Sequence, residues 1–216
     1  MRTERKRLLA TKDLLPAGYS KLEYIHGGGK AYIDTGLMPK STFRYEIKAN
    51  ISSSSANIIG ADTTTGSYYL RQFSLWFYFC VGSKTQGGLK YGVDWMSYPY
   101  DIQAGNFYIE TIGKRLSSAA FGEDMNGVVI TSNLKLFTGW NSVGEMWFAK
   151  IWDGGKLVRD YVPAMRKSDN VVGMYDRCEG KFYSSGSTAQ AFTGGVILKA
   201  IFSSFLEPSM AERRVA

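Results

Sequence analysis

Histidine and cysteine are nearly absent: the 216 residues hold one His and two Cys. A zinc or other transition-metal centre built on nitrogen and sulfur ligands needs more of both, so no such site and no cofactor is expected. Cys80 and Cys178 allow at most one disulfide, which the sequence leaves undecided; the apolar run around Cys80 favours buried free thiols. The lone His26 precedes Gly27-Gly28-Gly29, which reads as a turn carrying an exposed ring rather than a catalytic base. Gly27 to Lys30 is no phosphate loop, because the first glycine of that motif is missing and Ala31 stands where Ser or Thr belongs. Long apolar runs are also lacking. Leu8 to Ala10 is too short for a secretory leader, and Val196 to Leu206 is too short for a membrane span and contains Lys199.

What the chain does have is glycine and aromatic residues, 24 Gly and 14% Phe, Trp and Tyr, a balance that favours strands and tight turns over helices. The net charge is +7, and much of the excess sits at the ends, in Arg2, Arg5, Lys6 and Arg7 and in Arg213 and Arg214. A nucleic-acid module would carry a basic stripe on its folded face; none is evident, so nucleic acid is not the expected partner. The chain divides into a basic arm (1–13), a body (14–195) and a tail (196–216) that reads as either a strand or an amphipathic helix.

The body reads as short strands. Phe43, Tyr45, Ile47, Ala49 and Ile51 alternate with Arg44, Glu46, Lys48 and Asn50, the period of a half-buried antiparallel strand. Ser52 to Ser55 reads as a turn and Asn57 to Ala61 as a short strand. The segment Leu75 to Val81 is apolar on both faces, as a strand inside a sandwich would be. Further strands are expected at 107–111, 128–131 and 134–138, the last two linked through Ser132-Asn133. Glu145 to Trp152 and Leu157 to Val162 form a hairpin around Asp153-Gly154-Gly155-Lys156, ended by Pro163. A last pair, Val172 to Tyr175 and Lys181 to Tyr183, turns at Glu179-Gly180. Many short strands at this spacing predict an all-β, two-sheet antiparallel sandwich.

Catalytic chemistry is hard to find. A glycosidase needs two carboxylates about 5–9 Å apart. Glu46 has only Arg44 and Lys48 as same-face neighbours on its strand, Glu110 has Tyr108 and Ile112, and Glu123-Asp124 are adjacent in a loop. Asp62 to Gly66 lacks the spaced acids of a calcium loop and reads as a turn. The richest segment is a loop from Tyr91 to Asp101. There Asp94, Trp95, Tyr98, Tyr100 and Asp101, joined by Trp140-Asn141, offer rings to stack on a sugar and acceptors for its hydroxyls; the alternative is that they cover the core edge or an interface.

Two stretches carry a family resemblance. Leu15-Pro16-Ala17-Gly18-Tyr19 through Ile25 with Tyr32-Ile33-Asp34-Thr35-Gly36 opens the body. Lys156 to Ala164, Val172 to Asp176, Gly180 to Tyr183 and Ala191 to Gly195 close it. Together they resemble a domain of gut bacteria and their phages that is similar to the concanavalin A-like lectin/glucanase superfamily, laminin-G-like modules included. The resemblance implies a jelly-roll sandwich and a non-catalytic role, because the spaced acids of the glucanase relatives are missing. It implies no ligand residues, since residues 60–145 fall where such domains vary. On this reading the chain is a virion component (capsid decoration, head fibre or tail protein). Arg2, Arg5, Lys6, Arg7, Phe202 and Phe205 would dock it to other virion proteins or to copies of itself, with glycans as further ligands. The alternatives are a bacterial lectin at the cell surface or outside the cell and, third, a glycosidase.

Overall fold

The structure, a computed structural model, describes residues 15–40, 42–51, 55–65, 67–73, 76–82, 84–90, 99–103, 106–111, 114–120, 129–138 and 142–198, and these contain strands and no helix. In chain order the strands are β1 (Tyr19–Lys21), β2 (Ile25–Gly29), β3 (Ile33–Asp34), β4 (Phe43–Ile51), β5 (Ser55–Ala61), β6 (Thr63–Thr65) and β7 (Ser67–Phe73). Then come β8 (Trp76–Gly82), β9 (Lys84–Lys90), β10 (Pro99–Gln103), β11 (Asn106–Thr111), β12 (Lys114–Ala120), β13 (Val129–Ile130) and β14 (Lys135–Leu136). The last are β15 (Ser142–Asp153), β16 (Lys156–Arg166), β17 (Val172–Asp176), β18 (Lys181–Ser184) and β19 (Thr193–Gly194).

Two antiparallel sheets face each other. The larger runs β12-β11-β10-β4-β15-β16-β17-β18, with β1 on β16, β2 on β15 and β19 on β2. The smaller runs β3-β14-β5-β7-β8-β9, and β6 pairs with β13. The large sheet curls around β15. One edge of β15 follows β4 from Gly144 to Asp153, while the other takes β2 along Ser142–Met146 and β16 along Ala149–Asp153.

Alternation explains the core. On β4 the apolar set Phe43, Tyr45, Ile47 and Ala49 is buried and the charged set is half-buried. The buried set meets Met146, Ala149 and Ile151 of β15 and, from the facing sheet, Ile33, Ile59, Tyr68, Leu70 and Leu136. Each Ile, Leu, Met and Phe among them contributes about 1.5–3 kcal/mol on burial. The Tyr45 and Tyr68 hydroxyls meet at 2.5 Å between the two sheets, and burial pushes the pKa of both upward. A second cluster lies on the other side of the curled sheet. There Leu15, Tyr19 and Phe182 cover Val162, Ala164 and Tyr175, with the Tyr19 and Tyr175 rings 4.9 Å apart.

Several expectations are corrected. His26 to Gly29 is strand, not turn: β2 pairs with β15 from Ser142↔Gly29 to Met146↔Ile25. Its glycines serve close approach, since a Cβ on Gly28 would lie 1.9 Å from the Gln190 amide and one on Gly27 would touch the Phe137 and Phe192 rings. Pro163 does not end β16, which runs on to Arg166. The Pro163 carbonyl accepts from Leu22 N at 3.0 Å, and a strand residue's N–H and C=O leave by the same edge. The missing donor therefore falls just past the β1 ladder, and the β17 ladder is intact. Ser55 belongs to β5 rather than to the preceding turn, and Thr63–Thr65 is a strand paired with β13. The strands expected at 128–131 and 134–138 are present but shorter, as β13 and β14, and β14 inserts between β3 and β5. Cys178 is a free and exposed thiol rather than a buried one, because it sits in the turn after β17. The tail begins extended: Leu22 and Ile197 form an antiparallel bridge that continues the pairing of β19 with β2.

Candidate functional site

The outer face of the large sheet, away from the core, gathers rings and charges. Strict alternation along β15 would bury every second residue, but the register slips between Met146 and Phe148. This bulge turns Trp147 and Phe148 outward together and resets the phase, so that Ala149 and Ile151 are buried while Lys150 and Trp152 are half-buried outside. The cross-strand pairs with β4 are then Lys48↔Phe148, Glu46↔Lys150 and Arg44↔Trp152.

Each cation in this strip lies over a ring. The Arg44 guanidinium is 4.4 Å from the Trp152 ring centre, Lys48 Nζ is 5.1 Å from Trp147, and Lys150 Nζ is 5.2 Å from Phe148. Such contacts are worth about 0.5–1 kcal/mol each at exposed sites. Tyr24 extends the strip, its ring 5.7 Å from that of Trp147. Lys150 Nζ also reaches Glu46 Oε1 at 3.2 Å. The rings are thereby held in fixed orientations at a half-exposed surface, among charged groups that can donate and accept hydrogen bonds.

Beside the strip, Asp160 faces Lys150 across the β15–β16 ladder and accepts from Arg177 Nε at 3.0 Å. On the core side the chain buries a second charged group. Arg159 Nε and Nη2 both donate to the Thr35 carbonyl at 3.1 Å, and Nη2 lies 2.7 Å from Glu179. Its Nε lies 3.5 Å from the fully buried Asp176, whose Oδ1 accepts from the backbone N–H of Asp160 and of Cys178. Burial raises the Asp176 pKa against the pull of those N–H groups and of Arg159. The Tyr183 hydroxyl donates to Glu179, and burial together with that carboxylate pushes its pKa up to about 12. Every guanidinium nitrogen of Arg159 is engaged with protein, so this cluster clamps the loop after β3 to β16 and to the turn between β17 and β18.

The end of the expected binding loop is strand. Tyr100 and Asp101 lie in β10, opposite Ile47 and Glu46 of β4, because pairing with β4 extends the strand back to Pro99. Asp94, Trp95, Tyr98, Trp140 and Asn141 lie outside the described residues, as do Arg2, Arg5, Lys6, Arg7, Phe202, Phe205 and Glu123. Glu110 pairs with Arg115 on β12. Glu46 and Asp101 are carboxylate residues on neighbouring strands, a juxtaposition that a search for same-strand pairs does not find. His26 sits between Glu145 and Thr193. Asp62 accepts from Lys135 Nζ at 2.8 Å, which lowers its pKa. Among the described residues no group of three or more His, Cys, Asp and Glu is placed to hold a metal ion, and no helix is long and apolar enough to cross a membrane.

Sequence reasoning passed over Trp147, Phe148 and Trp152 as ordinary hairpin residues. The readable signal was Met146-Trp147-Phe148-Ala149, where the apolar run breaks alternation. No family model, no curated protein and no solved structure matches this chain.

Proposed function

We propose that the chain is a non-catalytic, lectin-like adhesion and assembly protein with a jelly-roll body, in its most concrete form a phage virion component attached through its terminal segments. The observation that carries the reading is the strip of Trp147, Phe148 and Trp152 held half-exposed under Arg44, Lys48 and Lys150. Rings fixed in place offer apolar platforms to the C–H faces of sugars, and the flanking charges offer hydrogen bonds to hydroxyls. The resemblance of both ends of the body to lectin-like domains and the all-β, two-sheet architecture support the same reading. So does the exposed apolar segment Val196 to Leu198, which suits attachment to a neighbour.

A bacterial lectin module is the second reading, favoured by the same strip. Glycosidase chemistry is the least supported, because Glu46 is engaged by Lys150. The test is a glycan array with the full chain, followed by titration calorimetry on any sugar bound. Trp147→Ala and Trp152→Ala should each weaken binding about tenfold, equivalent to about 1.4 kcal/mol, without release of reducing ends. Undiminished binding by both variants would move the site off this face. Hydrolysis lost in Glu46→Gln would sink the non-catalytic reading.

A further inference from the structure

Among the described residues, Val196 to Leu198 form a sheet edge with no strand beyond it. Val196 and Leu198 direct their backbone groups toward the body: Glu23 N donates to Val196 O at 3.0 Å, and Leu198 N donates to Lys21 O at 2.9 Å. Ile197 lies between them, bridged to Leu22 in an antiparallel, non-hydrogen-bonded pair. Its own N–H and C=O therefore leave by the opposite edge. The side chains there are apolar and open, with Val196 70%, Ile197 45% and Leu198 44% exposed. Folded proteins protect such edges with charge, proline, bulges or a cover, because an exposed apolar edge strand recruits another strand.

We infer that this edge pairs with the same edge of a second copy of the chain, antiparallel across a two-fold axis centred on Ile197. The inference rests on the assembly reading above and names its partner. One outward donor and one outward acceptor on a single residue are what a two-fold antiparallel contact uses: each Ile197 N–H donates to the other copy's Ile197 carbonyl. The contact shelters Val196, Ile197 and Leu198 of both copies.

The sequence beyond the edge favours a second copy over the chain's own tail. Covering this edge with the chain's own tail would need a reversal directly after Leu198. The sequence has no Gly, Pro, Asn or Asp from Lys199 to Glu207, so it lacks the residues that make tight reversals easy.

The test is sedimentation velocity of the full chain across a concentration range, with two variants. Ile197→Pro removes the outward N–H while sparing both inward bonds, which use Val196 O and Leu198 N. Val196→Lys combined with Leu198→Lys sets like charges against each other across the axis. The wild type should sediment at about twice the 24.1 kDa chain mass, and each variant should weaken the dimer at least tenfold with an unchanged far-ultraviolet circular dichroism spectrum. A wild type that is monomeric at every concentration overturns the inference, as does a dimer indifferent to both variants. A monomer whose Ile197 amide is protected from hydrogen exchange also overturns it, by showing that the chain covers its own edge. Glycan binding is scored separately on Ile197→Pro. Sugar binding by a monomeric wild type leaves the adhesion reading standing without the dimer, and dimers that bind no sugar do the reverse.

Discussion

Asp176 shows what one side chain costs and contributes. It is wholly buried, two backbone N–H groups hold one of its oxygens, and Arg159 stands 3.5 Å from the other. Burial still dominates, and its pKa lies above the ordinary 3.8. The folded state therefore binds this proton more tightly than the unfolded chain does. Stability from this group is fully present below about pH 3.8 and is lost as pH rises through the raised value. Asp176→Asn keeps the acceptor for both N–H groups and removes the titration. The wild type should lose urea resistance relative to Asp176→Asn as pH is raised from 4 to 7. Parallel curves for the two proteins would show that the carboxylate is not held against ionisation.

At the scale of elements, the short β17–β18 pair depends on a glycine for sterics rather than for backbone freedom. A Cβ on Gly173 would stand 2.1 Å from the backbone oxygen of Tyr183 and 2.9 Å from the Phe182 ring. One of those atoms is backbone and cannot swing aside. Gly173→Ala should therefore destabilise by about 1–3 kcal/mol, the range for overpacking. Gly27→Ala, which meets only ring atoms at 3.4–3.5 Å, should cost much less. Equal midpoints in urea would contradict this account. The elements that were readable in the sequence are those whose signal is local: alternation along β4, the Gly154-Gly155 hairpin, and Gly180 with its positive φ between β17 and β18. What was not readable was set by neighbours distant in sequence. Gly27 and Gly28 look like turn residues until Phe137, Phe192 and Gln190 lie over them. Pro163 looks like a strand end until its edge is known. The Trp147–Phe148 bulge and the Glu46–Asp101 opposition are matters of register, which alternation within one strand does not encode.

For the whole molecule, the shared core makes two sheets one cooperative body. Tyr45 and Tyr68 join them by a buried hydrogen bond, and residues of both sheets fill a single cluster. Tryptophan fluorescence and far-ultraviolet circular dichroism should therefore report one coincident urea transition. Tyr45→Phe removes the hydrogen bond between the sheets and should lower that transition by about 0.5–1.5 kcal/mol on both probes. Separate transitions would mean that the sheets unfold independently.

Residues 21–26 and 193–198 lie side by side, so the chain enters and leaves the body at neighbouring points on one edge. A module wired in this way can be spliced into a surface loop of another polypeptide without prising that loop apart.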